Sequence, residues 1–393
     1  MTAATRPPSS AAAPQSPALD VDALLGDLGV RVIVCCGSGG VGKTTTAAAL
    51  ALRAAEQGRS VCVLTIDPAR RLAQSMGLLE LDNEPRRVEG ISDPRGVGSL
   101  DAMMLDMKRT FDEMIEAHAE PGRAEEILAN PFYQALSSSF AGTQEYMAME
   151  KLGRLRAQSE ADGRWDLIVV DTPPSRSALD FLDAPARMGT FLDGRFIRVL
   201  TAPARGAGRG IGRLMSAGFG MFTSVLGKVL GAQVLLDLQA FVGAIDALFG
   251  GFRVRAEKTY ALLQDEGTAF VVVAAPERDA LREASYFVER LESERMPLAG
   301  LVLNRVQVAG YPGLSGEQAL AGAERLEEQH EHPVTAALLR LHADRMARLG
   351  RQRHLAERFT SAHPEVGVAE VAALAGDVHD LDGLREIGRL LTA

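Results

Sequence analysis

The sequence predicts an α/β protein, a mostly parallel sheet flanked by helices with an all-helical subdomain inserted into it, and three observations carry that expectation. Short apolar runs rich in β-branched residues recur along the chain, helical stretches separate them, and two long segments break the alternation with helical pattern alone. Continuous apolar strands alternating with helices belong to parallel sheets covered on both faces. The 393 residues, 47% hydrophobic and 24% charged, are enough for one large or two modest domains with a sizeable core. A net charge of -9 gives no global field that would draw the chain to DNA or RNA, so no nucleic-acid partner is expected.

Met1–Asp20 is rich in Ala, Pro and Ser, lacks a basic start followed by an apolar core, and reads as a disordered tail rather than a signal peptide. The first strand, Val32–Cys36, runs into glycines and then an Ala-rich helix from Lys43 to about Gln57. Val61–Ile66 is the second apolar run, ended by Asp67 and Pro68. Arg95–Ser99 reads as a connection into a strand around Ala102–Leu105. Leu167–Val170 is closed by Asp171, Phe270–Ala275 by Pro276, and Leu298–Leu303 by Asn304. Polar residues at the carboxyl ends of such strands are where open α/β sheets bind ligands. The two helical segments run from Met107 to about Gln158 and from Thr190 to Leu263.

Gly37-Ser38-Gly39-Gly40-Val41-Gly42-Lys43-Thr44 fits G-x-x-x-x-G-K-[ST] at every fixed position, between the strand and the helix that the motif requires. Glycines let successive backbone N–H groups turn inward on phosphate oxygens, and the helix N-terminus adds a positive dipole end. Lys43 is expected on the β- and γ-phosphates and the Thr44 hydroxyl on Mg2+. Phosphate chemistry also needs a carboxylate for the metal shell and a group that positions the attacking water. Asp171 either holds Mg2+ through water or caps the next helix. Asp67 either orients the water or serves as a turn or cap residue before a helix over Ala69–Met76.

The loop with its paired glycines, Thr65-Ile66-Asp67-Pro68-Ala69 after the second strand, and Asp171-Thr172-Pro173-Pro174-Ser175 after the third apolar run together resemble a known family. It comprises the ATPases related to the arsenical pump-driving ATPase and to the guided-entry ATPase that targets tail-anchored membrane proteins. The resemblance runs from about Val30 to Val371. It implies a P-loop NTPase fold with a deviant Walker A loop, ATP and Mg2+ as ligands, and Lys43 and Asp67 as catalytic residues, Asp67 activating the hydrolytic water in switch I. It further implies that Asp171 opens switch II and senses the γ-phosphate and Mg2+, that Thr45 binds the α-phosphate, and that Asn304 recognises adenine; without the family, Asn304 reads equally as a turn residue. The nucleotide-binding domain is then expected over residues 21–105, 161–190 and 260–393, and the helical subdomain over 106–160 and 191–259.

Members of that family close as dimers, or as two fused halves, around ATP, so one phosphate loop implies a dimer. Ser38 stands where the family carries a second lysine that reaches the partner's phosphates. A serine is uncharged and too short to cross an interface, which leaves a substitute Arg or a heterodimer with a lysine-bearing paralogue, and weak or partner-dependent hydrolysis. Arg176 in switch II is either a charge stabiliser or a solvated loop residue.

Leu214–Gly227 is uncharged, Lys228 interrupts it and Val229–Leu236 continues; the uninterrupted part is too short to span a bilayer. It reads as a buried helix, or as a groove in which Met188, Met215, Phe219, Met221 and Phe222 adapt to an apolar client. Arg195, Arg198, Arg205, Arg209 and Arg213 form a basic stretch that is either a solvated loop or a contact for anionic lipid or an acidic client flank. Cys35, Cys36 and Cys62 fall on strands without C-x-x-C spacing, and His330, His332, His342, His354 and His363 are irregularly spaced in polar helical sequence, so no zinc, metalloid or histidine metal site is expected. Three cargo readings follow: an ATPase that binds and releases an apolar membrane-protein client, the soluble ATPase subunit of an anion or metalloid transporter with an integral membrane partner, and a poorly catalytic ATP-binding subunit that regulates a paralogue. The expected location is cytoplasmic, or peripheral at the membrane.

Overall fold

The computed structural model describes residues 16–66, 71–78, 80–93, 95–119, 122–130, 133–134, 144–173, 254–311 and 313–392. Asp67, Pro68, Arg176, the apolar runs over 214–236, the basic stretch 195–213 and the proposed client residues lie outside them. The described strands are β1 (Val32–Gly37), β2 (Ser60–Thr65), β3 (Arg86–Arg87), β4 (Ser99–Met104), β5 (Leu167–Asp171), β6 (Thr268–Ala274), β7 (Leu298–Val306) and β8 (Val368–Ala372). They form one sheet in the order β3-β4-β2-β5-β1-β6-β7-β8. Every pairing is parallel except the short β3 against β4.

β1 lies between β5 and β6, so strands from the first part of the chain lie to one side of it and later strands to the other. That reversal of strand order opens a crevice at the carboxyl edge, where ligands of such sheets bind. The sheet is covered on both faces. On β1, Val32, Val34 and Cys36 join one buried cluster and Ile33 and Cys35 the other, as period-two alternation requires.

α2 (Lys43–Glu56) is buried along nearly its whole length because its alanines allow close approach: Ala47, Ala48, Ala49, Ala51, Ala54 and Ala55 are all buried. α10 (Leu381–Leu390) covers it with Leu384 and Ile387. On the opposite face, α7 (Arg278–Ser293) presents Leu281, Ala284, Val288 and Leu291 at helical spacing. Also on that side lie α4 (Met107–His118), α5 (Arg123–Ala129) and α6 (Gln144–Asp162), with Met114, Ile115, Met149 and Leu152 in the core. α8 (Gly316–Glu328) and α9 (Pro333–Ala362) form a hairpin before β8.

Several expectations shift. β8 was not among the strands read from sequence; its five residues alternate buried and exposed rather than forming a continuous apolar run. β4 begins at Ser99, so the connection read at Arg95–Ser99 ends inside a strand, and the helix expected over Ala69–Met76 is described as α3 (Arg71–Ser75). Part of the stretch read as a tail up to Asp20 pairs with the sheet: Leu19 N donates to Val368 O at 3.1 Å and Val368 N to Pro17 O at 2.9 Å, adding a short edge pairing to β8. Asp20 caps α1 (Val21–Gly26) through Ala23 N at 2.8 Å. His330 and His332 sit in the turn before α9, and His363 caps its end, rather than lying within helix. Among the described residues no helix is long and apolar enough to cross a membrane.

Candidate active site

β1 delivers the chain to the carboxyl edge, where the 37–42 loop turns it into α2. Three glycines are needed there for three reasons. Gly37 has φ 145° and a β-carbon on it would lie 2.0 Å from Val273 O; Gly42 has φ 97° and a β-carbon would lie 2.2 Å from Asn304 Nδ2; Gly40 has φ 77° with open space around it. Gly42 is the N-cap of α2 and makes no side-chain cap bond. The first amides of α2 therefore keep their donor capacity toward the loop.

Parallel register places the rest. Cys35 pairs with Asp171 across β1 and β5, and Asp171 with Thr65 across β5 and β2. Asp171 is fully buried at this row. Its Oδ2 accepts from Thr44 Oγ1 at 2.7 Å and from Thr65 Oγ1 at 2.9 Å, joining the helix behind the phosphate loop to the end of β2. Ile66 N donates to Asp171 O at 3.0 Å, so the chain leaving β2 toward Asp67 is held at the same carboxyl group's residue. Thr172 Oγ1 donates to Cys35 O at 2.9 Å. Lys43 is buried and its Nζ donates to Ser38 O at 2.7 Å, folding the lysine back over its own loop. Asn304, at the end of β7, donates from Nδ2 to Val41 O at 2.8 Å and accepts from Arg305 N at 2.9 Å.

The structure thus brings Lys43, Thr44, Asp171 and Asn304 together around one loop. Thr65 and Thr172 were missed by sequence reasoning, because it is the pairing of β2, β5 and β1 that brings their hydroxyls to this row. The cysteines pack. Burial pushes the Cys35 thiol well above its ordinary value, with the charge of Asp171 adding to it, and burial pushes Cys36 up to about 12 against the opposing pull of Lys43. Neutral, fully buried thiols are poor nucleophiles and poor ligands.

The loop fits a phosphate chain. Ser38 Oγ is buried without a hydrogen-bond partner among the described residues, beside the open space at Gly40 and the uncapped start of α2. An anionic oxygen there would satisfy donors that the protein alone leaves idle. The Thr44 hydroxyl and Asp171 carboxylate are the hard oxygen donors that Mg2+ takes, alongside water and phosphate.

The profile of the anion-transporting ATPase family matches residues 30–310. The chain belongs to this family. This ATPase is 28% identical over 283 residues to the ATPase GET3 of Malassezia globosa, covering 72% of this chain and 75% of that protein. It is 27% identical over 304 residues to the ATPase GET3 of Podospora anserina, covering 77% of this chain and 80% of that one. The matched span begins just before β1 and ends just after β7, so it contains the loop, the Asp171 row and Asn304. Family membership implies nucleotide binding and hydrolysis.

Proposed function

We propose that this ATPase is a Mg-ATP-dependent switch that closes as a dimer and, by hydrolysis, binds and releases an apolar membrane-protein client. The carrying observation is the shared acceptor: one buried carboxylate oxygen of Asp171 holds both Thr44, behind the phosphate loop, and Thr65, two residues before Asp67. A change at Thr44 cannot leave Thr65 undisturbed, because both donate to the same atom in a dry site where unmet polar groups are costly. Nucleotide state is thereby communicated to the segments following β2 and β5 together.

In this reading the loop amides of Gly37, Gly39, Gly40, Val41 and Gly42, with Thr45, bind the phosphates. Lys43 exchanges Ser38 O for phosphate oxygens, and Thr44 and Asp171 hold Mg2+. When bound, the metal neutralises charge on the terminal phosphates and aligns them for in-line attack. Asp67 orients the water. Asn304, anchored to Val41 O, keeps one amide hydrogen and one acceptor lone pair for the edge of adenine. Residues 21–105, 161–190 and 260–393 make the nucleotide-binding domain, and 106–160 with 191–259 the helical subdomain that carries the client.

Two observations keep other readings in view. The family's description names anion transport, which fits a soluble engine for a transporter. Ser38 in place of a lysine fits a weakly catalytic subunit that regulates a paralogue. Lys43→Ala is expected to abolish ATP binding, and Asp67→Asn to bind ATP while turnover falls by about a hundredfold or more, trapping a hydrophobic helical peptide on the protein. Asp67→Asn turning over at the wild-type rate would sink the proposal.

A further inference from the structure

Arg305 breaks the pattern of its strand in two ways. It follows Asn304 near the carboxyl end of β7 with φ 60°, in the left-handed region that a β-carbon disfavours. It also lies in a bulge: between β7 and β8, Leu303 is opposite Glu370 and Val306 opposite Ala372, so Asn304 and Arg305 together face the single residue Val371. Leu303 and Val306 both pack on the buried cluster that includes α7. Period-two alternation would have sent Arg305 to that side as well. The extra residue instead leaves Asn304 and Arg305 on the side of Val302 and Val371, where α2 and the phosphate loop lie.

Bulges beside active sites re-aim side chains, and a non-glycine residue stays in a strained conformation only where its surroundings hold it there. The hold is visible here. Arg305 N donates to Asn304 Oδ1 at 2.9 Å while Asn304 Nδ2 donates to Val41 O at 2.8 Å, so the left-handed turn and the anchored amide fix each other. The Arg305 side chain itself is exposed and makes no hydrogen bond or ion pair among the described residues. Glu370, the acid nearest along β8, is opposite Leu303 and lines a cavity on the other face of the sheet with Leu303, Gln352 and Ala356.

We propose that Arg305 is a specificity-determining residue whose planar guanidinium lies over the face of the nucleotide base while Asn304 meets the base's edge. The inference rests on the nucleotide site proposed above and adds to it a second base contact. Distance favours the base over the phosphates. β7 lies two strands from β1 in the sheet, about 10 Å at the usual spacing, whereas the phosphates belong to the loop that ends β1 and to Lys43. A nucleotide laid from that loop toward Asn304 brings its base to β7. An unpaired, weakly hydrated guanidinium on the same side, one residue further on, is suited to the flat face of an aromatic ring.

The test is binding of Mg-ADP and of Mg-pyrophosphate to the full-length chain by calorimetry, since neither depends on turnover. Wild type is expected to bind both, ADP more tightly. Arg305→Asn and Arg305→Gly both accept a positive φ, so the bulge and the Asn304 anchor should stay and the melting curve should not fall. Each should weaken ADP binding about tenfold, the scale of a partly desolvated cation–π contact, and leave pyrophosphate binding unchanged. Arg305→Lys keeps the charge without the plane and should lose most of the same affinity. ADP held by Arg305→Asn and Arg305→Gly as tightly as by wild type overturns the inference. An equal loss for ADP and pyrophosphate also overturns it, by making Arg305 a phosphate contact, and so does full recovery in Arg305→Lys, by making it a point charge. Wild type that binds neither ligand sinks the nucleotide site itself and this inference with it, so the two failures are distinguishable.

Discussion

At Asp171 three separate segments meet on one residue: the start of α2 through Thr44, the end of β2 through Thr65, and β1 through backbone register. Its neighbours Cys35 and Cys36 show what that dry setting does to an ionisable group. The folded protein keeps the Cys36 thiol protonated to about 12, whereas the unfolded chain releases that proton near the ordinary value of 9.0. The unfolded state then binds fewer protons, so stability falls as pH rises from about 9 toward 12 and is unaffected below that window. Cys36→Ala should make the unfolding free energy less alkali-sensitive, by about 2 kcal/mol between pH ~8 and ~10.5, as measured by urea titration at the two pH values. Equal alkaline losses in wild type and variant would show that the thiol titrates alike in both states. Lys43, Thr44 and Asp171 were legible because a phosphate loop fixes residue types at fixed spacing. Thr65 was not, since a threonine ending an apolar strand carries no mark until the neighbouring strand is known.

At the scale of elements, buried charge fastens helices together. Glu113 on α4 and Lys151 on α6 are both buried and 3.2 Å apart; the same carboxylate takes Asn83 Nδ2 at 2.9 Å and Arg154 at 3.2 Å. Nearby, Arg255, in a helical run over residues 254–264, grips the buried Glu150 of α6 at 2.9 and 3.0 Å. Removing one member strands its partner without solvent. Glu113→Ala should therefore cost about 3 kcal/mol of stability, while Glu113→Leu with Lys151→Met should recover most of it. If calorimetry finds the single variant as stable as wild type, the pair is solvated and the fastening lies elsewhere. None of these partners could be read from sequence: Glu113 and Lys151 look like ordinary surface charges on helices, and it is the packing of α4 on α6 that desolvates them. The helix α2 was clearer, because alanine content is a property of a single segment.

For the whole molecule, the site lies at the carboxyl edge of the sheet, where α2, β2, β5 and β7 converge on one loop. Ser38 is buried in the loop and makes no charge available to a neighbouring copy. The lone chain is accordingly expected to hydrolyse Mg-ATP slowly, and a homologue carrying a lysine at that loop position should raise the turnover of a mixture above the sum of the two separate rates. A strictly additive mixture would show that this chain completes its own site. The exposure of Val334, Leu338 and Leu341 on α9 was hidden in the sequence, since they have the spacing of any core-facing helix and only the packing of the whole chain decides which turns are covered.

The apolar strands of the sheet centre, the phosphate loop and the family were determined by the sequence alone, because each is a local pattern: strand composition, helix period and glycine spacing act between residues near one another in the chain. Only the tertiary structure decided that Asp171 answers to both Thr44 and Thr65, that Glu113 is buried, and that Val334, Leu338 and Leu341 of α9 lie exposed. Burial and hydrogen-bond partnership arise from segments a hundred residues apart, and solvent exclusion at a point depends on everything that surrounds it.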